Sequence, residues 1–134
     1  IICNDMKIIP QIEIKNGSKE KLQEILDLLE KYELKENAII ISFKSEMIKK
    51  VRELDENIEL WYLVEEITEE NIKTSKDINY KLAFNHKKND EEIIKTAINQ
   101  GLTLCAWTVD DLASLEELYN LGVNYITTNA IIPQ

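Results

Sequence analysis

Only three glycines and two prolines occur in the 134 residues. That leaves no glycine-rich phosphate loop, no linker and no low-complexity tract, so a nucleotide-binding open sheet has nothing to hold its phosphates. The two cysteines, Cys3 and Cys105, match no metal-ligand spacing. They read as free thiols of a reducing compartment, which points to the cytoplasm, with a single disulfide as the lesser reading. No apolar run approaches 18 residues, so no spanning helix is expected. Basic residues are in deficit: 16 Lys and Arg stand against 25 Asp and Glu, a formal net charge of −9. That argues against a nucleic-acid or anionic-membrane surface, which needs clustered cations, but not against a phosphorylated small molecule, which needs only one or two.

What is present is regular. Hydrophobic residues make up 44% of the chain, and they alternate between two patterns. Short β-branched or aromatic runs predict strands at 9–15, 38–43, 58–64, 80–85, 102–109 and 124–129. Stretches with apolar residues three and four apart predict helices at 18–32, 45–55, 68–76, 90–100 and 111–121. Ser18 is placed to cap the first helix. Asn89 and Glu92 make a capping-box-like start before Ile93, Ile94, Ala97 and Ile98, and Gly101 ends that helix. Asp110 and Gly122 bracket the stripe of Leu112, Leu115, Leu118 and Tyr119. The 68–76 segment is the weakest, with only Ile67 and Ile72 apolar.

Strand centres recur roughly every 21–27 residues, the period of a βα unit in a parallel sheet. The chain reads as one domain over 1–134. Six such units suit either an open doubly wound sheet or part of a (β/α)8 barrel, which normally takes about 250 residues.

Candidate chemistry starts at the first strand. Glu13 and Lys15 are two apart and share one face, while Ile12 and Ile14 take the other. A carboxylate there can hold a hard cation through oxygen, and an ammonium can meet a phosphate. An ion pair or a strand end reaching solvent would use the same residues. Trp107 shares its face with Cys105 and Val109, as a pocket wall or as core. His86, the only histidine, follows a strand beside Lys87 and Lys88; it reads either as a base in a cleft or, the favoured reading in that polar setting, as a solvated loop residue. Ser42 lacks the glycines of a nucleophile elbow and reads as structural. The acidic run EEITEEN at 65–71 lacks calcium-loop spacing and reads as a solvated helix start.

Three stretches resemble the glycerophosphodiester phosphodiesterase family in this order. They are IEIK at 12–15, IISFKSEMIKKVREL at 40–54 followed by LWYLV at 60–64, and AWTVDDLASLEELYNLGVNYITTN at 106–129. The resemblance covers most of the chain. It implies parallel (β/α) units of TIM-barrel type, about six of the eight strands being present. It also implies a metal-dependent hydrolysis of glycerophosphodiesters to an alcohol and glycerol 3-phosphate, with Mg²⁺ or Ca²⁺ as the divalent metal. On that resemblance Glu13 is a metal ligand, Lys15 binds the phosphate and Trp107 packs on the substrate.

Departures are as informative. The family's His-Arg-Gly motif, its Glu-x-Asp pair and its second histidine have no counterpart. Asn129 stands where the closing Asp is expected, Tyr125 for a Gly and Ile131 for a Pro. No catalytic residue is therefore assigned. The expectation is the C-terminal six βα units of such a barrel, inactive as this chain alone. Its strand edges would pair with a second copy or with an N-terminal part. The alternative expectation is a barrel remnant that serves only in binding or assembly.

Overall fold

The computed structural model describes residues 11–127. Pro10, Cys3, Asn129 and Ile131 lie outside them. Strands and helices alternate along the chain: β1 (Gln11–Glu13), α1 (Lys19–Lys31), β2 (Ile39–Ser42), α2 (Ser45–Leu54), β3 (Glu59–Val64), α3 (Glu69–Ile78), β4 (Lys81–Asn85), α4 (Glu91–Asn99), β5 (Leu104–Trp107), α5 (Leu112–Leu121) and β6 (Tyr125–Ile126). A short 3₁₀ turn, His86–Lys88, follows β4. The six strands and intervening helices are the parallel (β/α) units of a TIM-barrel type. They form two compact units that divide at Tyr62 and Leu63, inside β3.

In the first unit, β2 pairs in parallel with β1 (Gln11 opposite Ile39, Glu13 opposite Ile41) and with β3 (Ile40 opposite Leu60, Ser42 opposite Tyr62). Ile40 and Leu60 are buried, as are Leu22, Leu26 and Leu29 of α1 and Met47, Ile48 and Val51 of α2. Those helical positions recur at the three- and four-residue spacing that lays one stripe against a sheet. In the second unit, β5 pairs in parallel with β4 (Leu82 opposite Leu104, Asn85 opposite Trp107) and with β6 (Ala106 opposite Ile126). Leu82, Phe84, Leu104 and Ala106 are fully buried there.

Capping explains where the helices begin. Ser18, Thr68, Asp90 and Asp111 each accept a hydrogen bond from the backbone N–H three residues on. Such caps satisfy donors that a helix start otherwise leaves open. Two of them differ from expectation by one residue: Asp90, not Asn89, caps α4, and Asp111, not Asp110, caps α5. Helix α3, the weakest on apolar content, has a full capping box. Thr68 Oγ1 accepts from Asn71 N–H, and Asn71 Oδ1 accepts from Thr68 N–H. Gly122 closes α5 at φ 100°, a left-handed conformation that suits glycine.

The stripe expected on α5 divides. Leu118 is buried, but Leu112 is 66% exposed and Tyr119 75% exposed. At about 100° per residue, Leu115 and Leu121 flank Leu118, whereas Leu112 and Tyr119 both fall well off that direction.

Candidate functional site

In the first unit the chain leaves β1 and β2 at their C-terminal ends, side by side. The pairing offset of 28 residues does not stop with the strands. Ile14 N–H donates to Ile41 O at 2.8 Å. Ser42 Oγ donates to Ile14 O at 2.6 Å, and Lys44 Nζ donates to Asn16 Oδ1. The two exits are therefore stitched together for several residues past the ladder. Ser42 is the buried rivet: its hydroxyl also accepts from Lys44 N–H at 3.1 Å. Its structural reading follows from these two bonds.

A cleft of about 530 Å³ opens there, lined by Glu13, Ile14, Lys15, Asn16, Phe43 and Lys44. Glu13 and Lys15 are brought together, Nζ to Oε2 at 3.9 Å, with side chains 42% and 83% exposed. Such a contact is long and open to water, so each group remains available to a ligand. Ile14 turns the other way and is buried, as the alternation predicts. Lys44 and Asn16 received no role from the sequence. Their signal was the register: once β1 and β2 are aligned, residues 28 apart face each other.

Glu13 supplies one carboxylate. A hard cation takes six or more oxygen ligands, or keeps several waters. Among the described residues no group of three or more His, Cys, Asp or Glu side chains is arranged to hold a metal ion. The described residues therefore fit one oxygen ligand of a divalent-metal site and do not complete the site.

The second unit is stitched by different chemistry. Asn89 Oδ1 accepts from Ile67 N–H at 2.8 Å, and Asn89 Nδ2 donates to Glu65 O and Asn85 O at 2.9 and 2.8 Å. Glu65 accepts from Asn85 Nδ2 at 3.0 Å and pairs with Lys88 at 3.3 Å, and these bonds lower its carboxyl pKa. These contacts tie the loop after β3 to the loop after β4. The acidic run at 65–71 is a solvated, capped helix start, as expected. His86 corrects its expectation. It is half-buried, with Nε2 shielded from solvent, against Asn89, Glu91, Ser114 and Glu117 in a pocket of about 60 Å³. The 3₁₀ turn folds the ring inward rather than leaving it in a solvated loop.

Trp107 ends β5, half-buried, opposite Asn85. Cys105, two residues back, is a buried free thiol, and burial pushes its pKa up. Among the described residues no helix is long and apolar enough to cross a membrane.

Comparison with known proteins bears on the fold and the family. A glycerophosphodiester phosphodiesterase from Parabacteroides distasonis superposes with a TM-score of 0.77 at 23% identity, over 94% of this chain and 56% of that one. A structure from Galdieria sulphuraria superposes at 0.79, with 18% identity over 95% and 57%. An Oleispira antarctica phosphodiesterase, solved with its product sn-glycerol 3-phosphate, superposes at 0.72, with 18% identity over 82% and 45%. The chain thus spans about half the length of these structures, and at such identities the likeness is one of fold. No curated protein matches it. The model of the glycerophosphoryl diester phosphodiesterase family matches residues 4–132, nearly the whole chain. The chain belongs to the glycerophosphoryl diester phosphodiesterase family.

Proposed function

We propose that this chain carries the phosphate-facing part of a phosphodiesterase that hydrolyses glycerophosphodiesters to an alcohol and glycerol 3-phosphate. The observation that supports it is the open Glu13–Lys15 pair at the C-terminal end of β1, within the family match. TIM barrels keep their chemistry at that end of their strands.

Each residue has a role in this reading. Lys15 donates to phosphoryl oxygens and offsets the negative charge that grows on them as the P–O bond to the alcohol breaks. Glu13 contributes carboxylate oxygen to a Mg²⁺ or Ca²⁺ ion, whose other ligands these described residues do not supply. When bound, such an ion polarises the phosphoryl group. For Trp107, contact with the glycerol or alcohol carbons rests on the family resemblance alone.

Proton transfer sets the limit on this polypeptide. An alkoxide leaves readily only when an acid protonates it, and a positioned acid–base pair is worth about 10²–10⁴-fold. The family resemblance implies two histidines for this work. The 134 residues hold one, His86, half-buried among side chains of its own unit. The expected result is no hydrolysis of glycerophosphocholine above background by the purified chain with added Mg²⁺ or Ca²⁺. Turnover that disappears in a Glu13→Ala variant would overturn the inactivity and leave the role of Glu13 standing.

Self-association is part of the same reading. Among the described residues β1 pairs only with β2, and an unpaired strand edge is a template for another chain. Sedimentation of the 134-residue chain at low micromolar concentration should show a mass above the monomer's. A sharply folded monomer would end this part of the proposal.

A further inference from the structure

We infer that Lys44 is a second anion-binding residue of the β1–β2 cleft, positioned by Asn16, so that the cleft grips a phosphate group between cations from two neighbouring loops. The inference rests on the phosphodiester reading of Glu13 and Lys15 and assigns a residue to which that reading gave no role. Lys44 Nζ donates one of its three N–H groups to Asn16 Oδ1. That partner is a neutral amide, so it orients the ammonium without cancelling its charge. Among the described residues the ion pairs of this unit that use Lys19 and Lys35 end on carboxylates. Among the described residues no carboxylate pairs with Lys44.

The charge count in the cleft follows. One carboxylate, Glu13, faces two ammoniums, Lys15 and Lys44. The cleft therefore carries a local surplus of one positive charge on a chain whose net charge is −9. Both lysines are exposed, and each follows directly from one of two hydrogen-bonded strands. The continued register holds the two loops together: Ser42 fixes the backbone beneath them, and the Lys44–Asn16 bond closes them above. A tetrahedral oxyanion is the ligand that such a pair suits, because it accepts point-charge donors from several directions. Phe43, 51% exposed, lines the same cleft and offers apolar contact to the carbon chain of a phosphate ester.

The test is a titration of the 134-residue chain with inorganic phosphate, sn-glycerol 3-phosphate and, as a control without charge, glycerol. Binding is followed by backbone amide shifts. Lys44→Met should weaken both phosphate ligands about tenfold, and Asn16→Ala about threefold. Lys44→Arg should retain most of the binding. All three should melt with the parent chain, since the lysine is exposed; Lys44→Gln serves as a second neutral variant should Met disturb the fold. If Lys15→Met loses binding and Lys44→Met does not, the inference falls and the phosphodiester reading stands. If Lys44→Met loses binding and Lys15→Met does not, Lys44 is an anion ligand and the role given to Lys15 falls. Glycerol binding as well as the two phosphates, or no phosphate binding by the parent chain, overturns both.

Discussion

The first unit has a lysine–carboxylate pair at each end of its strands, and these two differ in almost every physical respect. Lys35 and Asp55 lie on the loops that enter β2 and β3. Their charged atoms are 2.6 Å apart, and the Asp55 side chain is only 7% exposed. Asp55 Oδ1 also accepts from Asn57 N–H at 2.8 Å and Ile58 N–H at 3.1 Å, and Arg52 donates to Asp55 O. Glu13 and Lys15, where the chain leaves β1, are 3.9 Å apart and open to water. The first carboxylate has its lone pairs used within the fold. The second keeps most of them for a visitor. In barrels of this type the strand C-terminal ends carry chemistry and the opposite ends carry stability, and the two pairs follow that division.

Breaking the closed pair should have the largest effect. Asp55→Ala leaves the Lys35 ammonium without its partner and two backbone N–H groups without their acceptor. A cost of about 3 kcal/mol is expected from urea unfolding. The pH dependence follows from the same bonds. Burial pushes the Asp55 carboxyl up, but Lys35 and the N–H groups of Asn57 and Ile58 outweigh it and hold it below its usual range. Its contribution is therefore complete above about pH 4, the unfolded carboxyl value, and is lost as pH falls through the lower folded value. Lys35 is raised, chiefly by its bond to Asp55. Its share is complete below about pH 10.4 and is lost as pH rises through the raised value. Asp55→Asn should flatten the acid limb of the stability profile, and an unchanged limb would show that other carboxylates set it.

Much of this organisation was legible in the sequence, and the boundary of legibility is physical. Elements were readable because apolar period and caps are local: each predicted helix lies within a few residues of an observed one. Local signals also explain the near misses. Asn89 and Asp90 are both good cap residues, and only the tertiary partners of Asn89, the backbones of Ile67, Glu65 and Asn85, decide which one caps. The open pair was visible because Glu13 and Lys15 are two apart on one strand. The closed pair was not, because Lys35 and Asp55 meet only after α2 and the strand beside it have packed. Lys44 and Asn16 escaped for the same reason, since register is a property of two strands and not of one. His86 was misplaced because a 3₁₀ turn of three residues has no period to read.

Ser42 joins the two kinds of region, since it is buried like Asp55 but lies beneath the open cleft. Ser42→Ala removes one bond to Ile14 O and one from Lys44 N–H. A loss of about 1–2 kcal/mol is expected, because the buried Ile14 carbonyl and the part-buried Lys44 N–H both lose this hydroxyl. The same variant should also weaken phosphate binding, through the loosened register of the two loops. A variant that loses stability but keeps binding would show that the cleft does not depend on the rivet under it.

The smallest effect should come from the open pair itself, and its smallness is the point of the comparison. A double-mutant cycle on Glu13 and Lys15, using Glu13→Gln and Lys15→Met, should give a coupling free energy under about 0.5 kcal/mol in thermal or urea unfolding. At 3.9 Å with most of the lysine in water, the Coulomb gain is screened and the ordering of a long side chain offsets the rest. Added salt should shrink the coupling further. The corresponding cycle on Lys35 and Asp55 should give a larger coupling and respond less to salt, since their charged atoms are 2.6 Å apart and the Asp55 side chain is only 7% exposed. A coupling at Glu13–Lys15 as large as that at Lys35–Asp55 would mean that both ends of the strands are built for stability. The case for a ligand at the C-terminal end would then lose its physical basis.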